Sequence, residues 1–300
     1  MNTIDKVAII GAGTMGRRIA YGCVIKGVAV RLFDAAPAVL AAATPAVRRL
    51  IDERVATGRL AKGLTERALP LITVCGSIED AVSGVGLAIE TVYESVEVKR
   101  AVFAEIDRYA EPAVLIGTNT SSIPGSWLAD ATNRPDRVFN FNWSTPDLPK
   151  VEIMGHPGTS QSTLEAAQAF VRALGLVPIH VRGELIGYAT NRIWRAVKKE
   201  VLWQLDRGYI TPEDVDRSWM LDWGSPMGPC GLMDAVGLDT IRAVEMIYYN
   251  ASKDPSDKPP KLLDDMIAAG TLGVKSGRGF YQYPDPTYAR PGFLTGEAPP

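Results

Sequence analysis

Three glycines near the start of the chain form the clearest chemical pattern in this sequence. They lie after a short apolar run and before a helical pattern, in the segment Gly11-Ala12-Gly13-Thr14-Met15-Gly16. The first glycine permits a tight turn, the second lets the backbone approach a pyrophosphate, and the third lets a helix pack closely on a strand. The N–H groups and positive dipole at the start of that helix favour phosphate. We therefore predict a dinucleotide site made by Gly11, Gly13, Thr14, Met15 and Gly16.

An acidic residue after the next apolar run indicates which dinucleotide binds. Residues 28–33 are typical of a second strand, and Asp34 follows them directly. A carboxylate at this point can accept hydrogen bonds from the adenosine ribose hydroxyls and repels a 2′-phosphate, so we predict NAD rather than NADP. Arg31 is the competing signal, because a nearby arginine can hold that phosphate, but this arginine lies inside the predicted strand.

Such a site needs strands and helices that alternate along the chain. Short apolar runs recur at residues 6–11, 28–33, 71–75, 87–90, 114–118, 137–141, 151–154 and 177–181. Helical patterns separate several of these runs, and residues 36–68 are typical of a helix or a helical hairpin. This alternation predicts an α/β Rossmann-type domain with a doubly wound, mostly parallel sheet.

After Glu184 the strand patterns end and helical patterns continue to the C-terminal region. They cover residues 188–207, 212–221, 232–252 and 258–269, with proline and glycine between them. One of these helices has a clear start, with a cap residue, a proline and two acids in Thr211-Pro212-Glu213-Asp214. We predict an NAD-binding Rossmann-like domain over residues 1–185 and an all-α domain over residues 186–300.

The composition argues against several other classes of function. The chain has 300 residues, 46% of them hydrophobic, and its 32 basic and 34 acidic residues give a net charge of −2. These charges form no basic block, so we expect no nucleic-acid partner, and no apolar run reaches the roughly 18 residues of a membrane span. Three separated cysteines and two histidines argue against a disulfide framework and a metal site. The N-terminus lacks a signal-peptide pattern, so we expect a cytoplasmic protein.

Further motifs follow the glycine-rich turn in order. They are Glu90-Thr-Val-Tyr-Glu94-Ser-Val-Glu-Val-Lys99, Thr118-Asn119-Thr120-Ser121-Ser122-Ile123, Ile186-Gly187-Tyr188-Ala189-Thr190-Asn191-Arg192, Pro226-Met227-Gly228-Pro229 with Asp234-x-x-Gly237-Leu238-Asp239, and Lys275-Ser276-Gly277-Arg278-Gly279-Phe280-Tyr281. Together with the turn, they resemble the L-3-hydroxyacyl-CoA dehydrogenase family over nearly the whole chain. The resemblance implies a helical second domain that forms a homodimer. It also implies NAD-dependent oxidation of a secondary alcohol, or the reverse.

The resemblance also assigns roles to residues within these motifs. It implies that Glu94, Lys99, Ser121 and Lys275 contact the nicotinamide half of NAD. It further implies that Ser121 hydrogen-bonds the substrate oxygen and that Asn191 is a polar residue of the site. Taken singly, each has a simpler explanation, because Glu94 and Lys99 suit a solvated helix face and Ser121 and Asn191 suit helix caps. As a spaced set, they favour a site.

One catalytic residue of the family is missing from this chain. The family shows the motif His-Phe-x-Asn-Pro and then a glutamate about a dozen residues after the histidine. In that family the histidine takes the hydroxyl proton, and the glutamate holds the imidazole ring of the histidine. Glu152 matches that glutamate, but residues 139–151 contain no histidine. Counting from Ser121 places Asn142 at the histidine position, and a second register places Phe139 there. We prefer Asn142, because this register keeps Pro146 aligned; Thr145 then replaces the usual asparagine.

An asparagine can hold a substrate oxygen but has no proton to exchange near neutral pH. Losing a general base typically costs about 10²–10⁴-fold in rate. Three outcomes stay open: Glu152 takes the proton, the substrate needs less help from a base, as an imine or an activated carbonyl does, or turnover is lost. His156 is a further candidate, but four residues along a strand span about 13 Å.

The substrate is less well indicated than the cofactor. Basic residues occur where family members bind CoA, namely Arg48, Arg49, Arg54, Arg59 and Lys62. Scattered arginines on a helix, however, usually face solvent. Three tryptophans are near segments expected to border the cleft, namely Trp143, Trp219 and Trp223. Aromatic walls there would suit a flat or cationic substrate. Alternatively, these tryptophans belong to the core or to the dimer contacts.

Two hypotheses follow from these residues. The first is an NAD-dependent oxidoreductase for a small hydroxy, oxo or imino substrate that is not a standard acyl-CoA. Its catalytic residues would be Ser121, Asn142, Glu152 and Asn191. The second is an NAD-binding protein of the same fold that has lost turnover.

Overall fold

The structure is a computed structural model, and it describes residues 4–143 and 148–297. Its contacts divide the chain into two compact units, Met1–Ala189 and Thr190–Pro300. The predicted boundary at residue 185 lies just before this division. In the described ranges, no helix is both long enough and apolar enough to cross a membrane.

The first unit is built on one sheet. Its strands are β1 (Lys6–Ile10), β2 (Ala29–Phe33), β3 (Ile72–Val74), β4 (Leu87–Glu90), β5 (Leu115–Thr118), β6 (Val138–Asn142), β7 (Lys150–Gly155) and β8 (Val177–Val181). The strand order is β3-β2-β1-β4-β5-β6-β7-β8. Neighbouring strands are parallel except for β6 and β7, which are antiparallel. Because the strand order reverses beside β1, the carboxyl ends of β1 and β4 flank a crevice where such sheets bind ligands.

Helices cover both faces of this sheet. They are α1 (Thr14–Val24), α2 (Pro37–Ala41), α3 (Ala43–Ala56), α4 (Leu64–Ala68), α5 (Ile78–Val82), α6 (Val96–Tyr109), α7 (Ser126–Ala129) and α8 (Gln161–Ala173). Side chains of a strand alternate between faces, so Val7 and Ile9 of β1 pack with α1, α3 and α8, whereas Ala8 and Ile10 pack with α5, α6 and α7. The sheet and its two helical layers confirm the predicted Rossmann-type fold.

The second unit is helical, as predicted. Its helices are α9 (Thr190–Asp206), α10 (Pro212–Trp223), α11 (Pro229–Val236), α12 (Leu238–Ser252) and α13 (Lys261–Ala268). Thr211 caps α10 by accepting a hydrogen bond from the Asp214 N–H, as its sequence indicates. The continuous helix predicted over residues 232–252 is wrong, because Gly237 has a φ of 99° and separates α11 from α12.

Candidate active site

The glycine-rich turn joins the carboxyl end of β1 to α1. A Cβ atom added to Gly11 would collide with the Thr91 carbonyl, and one added to Gly16 would collide with the Gly11 carbonyl. Among the described residues, a Cβ atom added to Gly13 would instead meet no atom within 4 Å, and no side chain caps the first turn of α1. Two glycines thus serve close packing, while Gly13 leaves open space in front of a helix start that suits phosphate.

The carboxylate of Asp34 lies beside this turn. Its Oδ2 atom accepts a hydrogen bond from the Ala12 N–H at 2.7 Å, and its Oδ1 atom accepts one from the Ala36 N–H at 2.8 Å. A carboxylate has about four acceptor positions, so two ribose hydroxyls can still donate to it. The competing residue Arg31 donates to the Asp80 carbonyl at 2.9 Å and pairs with the Asp80 carboxylate. This pairing engages the arginine that could have favoured NADP.

Two glutamates and a lysine form a network at the carboxyl end of β4. The Lys99 Nζ atom lies 2.8 Å from Glu90 Oε1 and 3.2 Å from Glu94 Oε2. Lys99 is only 1% exposed, which excludes a solvated helix face as its explanation. Burial raises the pKa of Glu90, and the Lys99 ammonium opposes that rise. Sequence reasoning gave Glu90 no role, although a glutamate that ends a buried strand is a recognisable signal.

The serine motif after β5 is held by Glu94. The hydroxyls of Thr120 and Ser122 both donate to Glu94 Oε1, the second at 2.7 Å. Partial burial tends to raise the pKa of Glu94, but the hydrogen bond from Thr120 and the charge of Lys99 bring it below its usual value. Ser121 lies between these two residues with an exposed side chain. The structure therefore places Ser121 between two residues that bind Glu94, which itself pairs with Lys99; the contacts of Glu94, Lys99 and Ser121 with NAD stay predictions.

The strand pair β6–β7 decides which residue faces Glu152. Asn142 lies directly opposite Glu152 in the antiparallel register, and side chains at opposite positions project from the same face. Phe139 packs in the core on the other face, with its ring 5.8 Å from that of Phe141. Asn142 and not Phe139 therefore occupies the place beside the glutamate. Thr145 and Pro146 lie outside the described residues.

Glu152 itself is almost fully buried, with 1% of its surface exposed. Its Oε1 atom accepts a hydrogen bond from the Ala189 N–H at 3.2 Å, and its Oε2 atom lies 3.9 Å from Lys150 Nζ. Asn142 is also buried. This part of the site thus combines a positioned carboxylate with a primary amide that can both donate and accept hydrogen bonds.

Asn140 is a residue of this face that sequence reasoning missed. It precedes Asn142 by two positions on β6, so both side chains project from the same face. Its Nδ2 atom donates to the Ile123 carbonyl at 2.9 Å, and its buried Oδ1 atom has no hydrogen-bond partner in the described structure. Residue 140 is twelve positions before Glu152, which is the spacing that the resemblance implies between histidine and glutamate. That count was the signal available in the sequence.

His156 lies at the other end of the strand pair. Gly155, the residue before it, pairs with Phe139 at the start of β6, whereas Asn142 ends that strand. The His156 Nε2 atom lies 2.8 Å from the Pro135 carbonyl, and its Nδ1 atom accepts a hydrogen bond from the Gly158 N–H. These contacts give His156 a structural role away from Glu152.

Models of two known domain families match this chain. The model of the 3-hydroxyacyl-CoA dehydrogenase NAD-binding domain matches residues 6–185, and that of the C-terminal domain matches residues 187–283. This chain belongs to the 3-hydroxyacyl-CoA dehydrogenase family. It is an oxidoreductase with NAD as its cofactor, which confirms the cofactor prediction, and the open space at Gly13 and the uncapped start of α1 fit that cofactor.

Relatives in this dehydrogenase family act on different substrates. A 3-hydroxybutyryl-CoA dehydrogenase of Mycobacterium tuberculosis is 33% identical over 94% of this chain and 99% of its own length. A 5-formyl-3-hydroxy-2-methylpyridine 4-carboxylate 5-dehydrogenase of Mesorhizobium japonicum is 31% identical over 95% of this chain and 93% of its own. The solved structure of (S)-3-hydroxybutyryl-CoA dehydrogenase from Ralstonia eutropha has a TM-score of 0.87 and 33% identity, and covers 94% of this chain and 100% of that one.

Two predicted site residues of the dehydrogenase belong to the second unit. The Lys275 Nζ atom lies 2.7 Å from Asp239 Oδ2, at the first turn of α12. Asn191 is exposed in the first turn of α9. Their roles at the cofactor and the substrate stay predictions.

The aromatic and basic residues considered for substrate contacts lie in different surroundings. Trp143 is buried, and its indole ring fills the space that a side chain at Gly22 of α1 would need, so it belongs to the core. Trp219 and Trp223 have ring centroids 5.6 Å apart, and Trp223 is 72% exposed. Four basic residues of the region after β2 are exposed, namely Arg48, Arg49, Arg59 and Lys62. The fifth, Arg54, lies over the Tyr21 ring.

Proposed function

We propose that this protein is an NAD-dependent dehydrogenase or reductase for a small hydroxy, oxo or imino substrate, and not for a standard acyl-CoA. The observation that carries the proposal is the pairing of Asn142 with Glu152. The site keeps a positioned carboxylate and lacks the imidazole on which the acyl-CoA reaction relies. A substrate with a more acidic hydroxyl, or with a carbonyl activated by its own groups, needs less help from a base.

Asn142 and Ser121 hold the reacting oxygen in this proposal. The Asn142 amide donates an N–H, and the Ser121 hydroxyl donates an O–H, toward an oxygen that gains negative charge as its proton leaves in oxidation, or as the C–H bond forms in reduction. Donors fixed in place before reaction stabilise such charge strongly in a site shielded from water. The bound NAD supplies the hydride acceptor, or the donor in the reverse direction. Asn191 is a further polar residue of the proposed site.

Glu152 moves the proton. During oxidation the substrate O–H proton passes to the Glu152 carboxylate, directly or through one water molecule, and in reduction it returns to the product oxygen. The hydrogen bond from the Ala189 N–H holds one carboxylate oxygen in place. A carboxylate held in place in this way is oriented before the reaction, which supports its role as the base.

The pyridine-carboxylate dehydrogenase among the relatives supports a non-CoA substrate. We therefore propose to assay the protein with a panel of candidate substrates. The panel contains hydroxy acids, oxo acids, cyclic imines, pyridine carboxylates and hydroxyacyl-CoA esters. NADH oxidation and NAD reduction are followed at 340 nm. Turnover of a small substrate with little or none of the CoA esters is the expected result. Preferential turnover of the CoA esters would contradict the proposed substrate class.

The second candidate function is NAD binding without turnover, and the missing imidazole favours it. Binding of NADH with no reaction on any member of the panel is the result that would select it. A substitution tests descent from the acyl-CoA enzymes: Asn142→His should introduce acetoacetyl-CoA reduction if only the base is missing. Asn140→His is the matched comparison, because Asn140 lies at the family's spacing but faces Met154 instead of Glu152.

We also propose a cytoplasmic homodimer assembled through the helical unit. Large apolar side chains are exposed on this unit in the single chain: Ile193, Leu221, Trp223, Val236 and Ile247. Exposed large apolar side chains in such number support an association site on this unit. The three cysteines are free and buried, which suits a reducing compartment. Light scattering should give twice the mass of one chain, and a monomer at micromolar concentration would contradict the dimer.

A further inference from the structure

We propose that Tyr188 is a positioning residue of the reaction, because its hydroxyl holds the backbone carbonyl beside Ser121. The inference rests on the proposed function, since it concerns the same site. No role was assigned to Tyr188 from its motif. The Tyr188 hydroxyl donates a hydrogen bond to the Thr120 carbonyl at 2.6 Å. That carbonyl belongs to the peptide group that connects Thr120 to Ser121, so the contact fixes the backbone from which the reactive hydroxyl projects.

The same short segment also holds the other catalytic group. Ala189, the next residue, donates its N–H to Glu152 Oε1 at 3.2 Å. Tyr188 and Ala189 thus connect two places that are far apart in sequence, the end of β5 and the start of β7. A shift of this segment would move Ser121 relative to Glu152. Small displacements of reacting groups lower the rate strongly while ground-state binding can persist.

The surroundings of Tyr188 keep this arrangement in one conformation. Its ring is buried against Met154 and Val181, on the sheet face that carries Asn140 and Asn142. Its φ of 52° is left-handed, which is unfavourable for a residue with a side chain. Unfavourable backbone geometry of this kind persists where surrounding contacts determine it, often near reacting groups. Burial also raises the pKa of Tyr188, so its hydroxyl keeps the proton that it donates.

The test compares Tyr188→Phe with a matched tyrosine elsewhere. Phenylalanine keeps the buried ring and removes only the hydroxyl. The control is Tyr281→Phe, which removes a buried hydroxyl that donates to Asp216 and the Pro212 carbonyl in the second unit. Hydrogen–deuterium exchange reports on the Ser122 and Ile123 amides, which donate to the Thr120 hydroxyl oxygen. NADH affinity and steady-state rates on the best panel substrate complete the measurement.

We expect Tyr188→Phe to raise exchange of these two amides and to lower kcat about tenfold, with the KM for NADH within about threefold of the original. Tyr281→Phe should leave exchange in this segment and kcat unchanged, although it lowers the melting temperature. The proposal would be overturned if the two amides exchange in Tyr188→Phe at the same rate as in the unaltered protein. It would also be overturned if their exchange rises while kcat is unchanged. If the unaltered protein turns over nothing on the panel, the proposed function fails, while the exchange measurement still decides whether Tyr188 holds Thr120.

Discussion

At the scale of residues, the proposed site has an amide in place of the family's base and keeps the carboxylate that would have held that base. Asn142 faces Glu152 across the β6–β7 pair, and Glu152 is almost completely buried. The amide can orient an oxygen but cannot accept its proton. We therefore propose that the carboxylate is the group that exchanges the proton during the reaction.

Replacement of this carboxylate tests its role directly. Glu152→Gln should lower kcat on the best panel substrate by about 10²–10⁴-fold, because an amide cannot act as a general base. NADH affinity should change little, since the glycine turn is unaffected. Glu165→Gln on the exposed side of α8 is the control and should keep its activity. An unchanged kcat in Glu152→Gln would show that another group moves the proton.

Two of the three glycines of the turn, Gly13 and Gly16, should respond differently to replacement by alanine. Gly13→Ala places a methyl group in open space, so it should keep the melting temperature but weaken NADH binding by at least about tenfold, because the methyl group blocks the approach of the pyrophosphate. Gly16→Ala should unfold or strongly destabilise the protein, since its Cβ atom collides with the Gly11 carbonyl. Fluorescence titration with NADH and thermal melts measure both effects. Tight NADH binding by Gly13→Ala would place the cofactor elsewhere.

At the scale of elements, polar residues of the first unit lie where its strands end, at the carboxyl edge of the sheet. Glu90 ends β4, Thr118 ends β5 and Asn142 ends β6. Glu90 accepts hydrogen bonds from the Thr118 hydroxyl at 2.7 Å and from Lys99 at 2.8 Å. Adjacent strand ends are thereby tied together by charged groups that would be costly to leave unpaired when buried.

Glu94 connects Lys99 of α6 to Thr120 and Ser122 after β5, and this connection predicts a pH effect on stability. Its pKa is lower in the folded protein than the usual value near 4.5, so its ionised form contributes stability above that pH. This contribution is lost as the pH falls below 4.5 through the folded-state pKa. Glu94→Gln should therefore lose stability near neutral pH and less of it in acid, as measured by urea unfolding at several pH values. Parallel curves for Glu94→Gln and the original protein would contradict this linkage.

At the scale of the whole molecule, the proposed chemistry is divided between two units. The glycine turn, Asp34, Glu94, Ser121 and Glu152 belong to Met1–Ala189, whereas Asn191 and Lys275 belong to Thr190–Pro300. Each unit has its own hydrophobic core. The cofactor groups in the first unit therefore do not need the second unit for their local structure.

Separation of the units provides a test. Residues 1–189 alone should fold and bind NADH, because the sheet and the glycine turn are complete within them, but they should not turn over substrate without Asn191 and Lys275. Circular dichroism and NADH titration check folding and binding, and the substrate panel checks turnover. Full activity of this fragment would remove both residues of the second unit from the reaction.

Local patterns in the sequence were enough to predict the cofactor and the fold class. Gly16 is required by a backbone contact with Gly11 within one strand-turn-helix segment, and strand and helix periodicity depends on neighbouring residues. The prediction of one helix over residues 232–252 was wrong, because a single Gly237 with positive φ divides it. Propensity along a run does not show where one glycine changes the chain direction.

The sequence by itself determined the dinucleotide turn, the alternation of strands and helices and the loss of the histidine before Glu152. Only the tertiary structure decided that Asn142 faces Glu152, that Lys99 is buried between two glutamates and that Trp143 is a core residue. Strand register and burial arise from contacts between distant segments, and a shift of one position would exchange the two faces of β6. For this reason the contacts of Asn140 with Ile123 and of Tyr188 with Thr120 could not be predicted from the sequence, since they form only where β5, β6, β7 and the segment before α9 lie together.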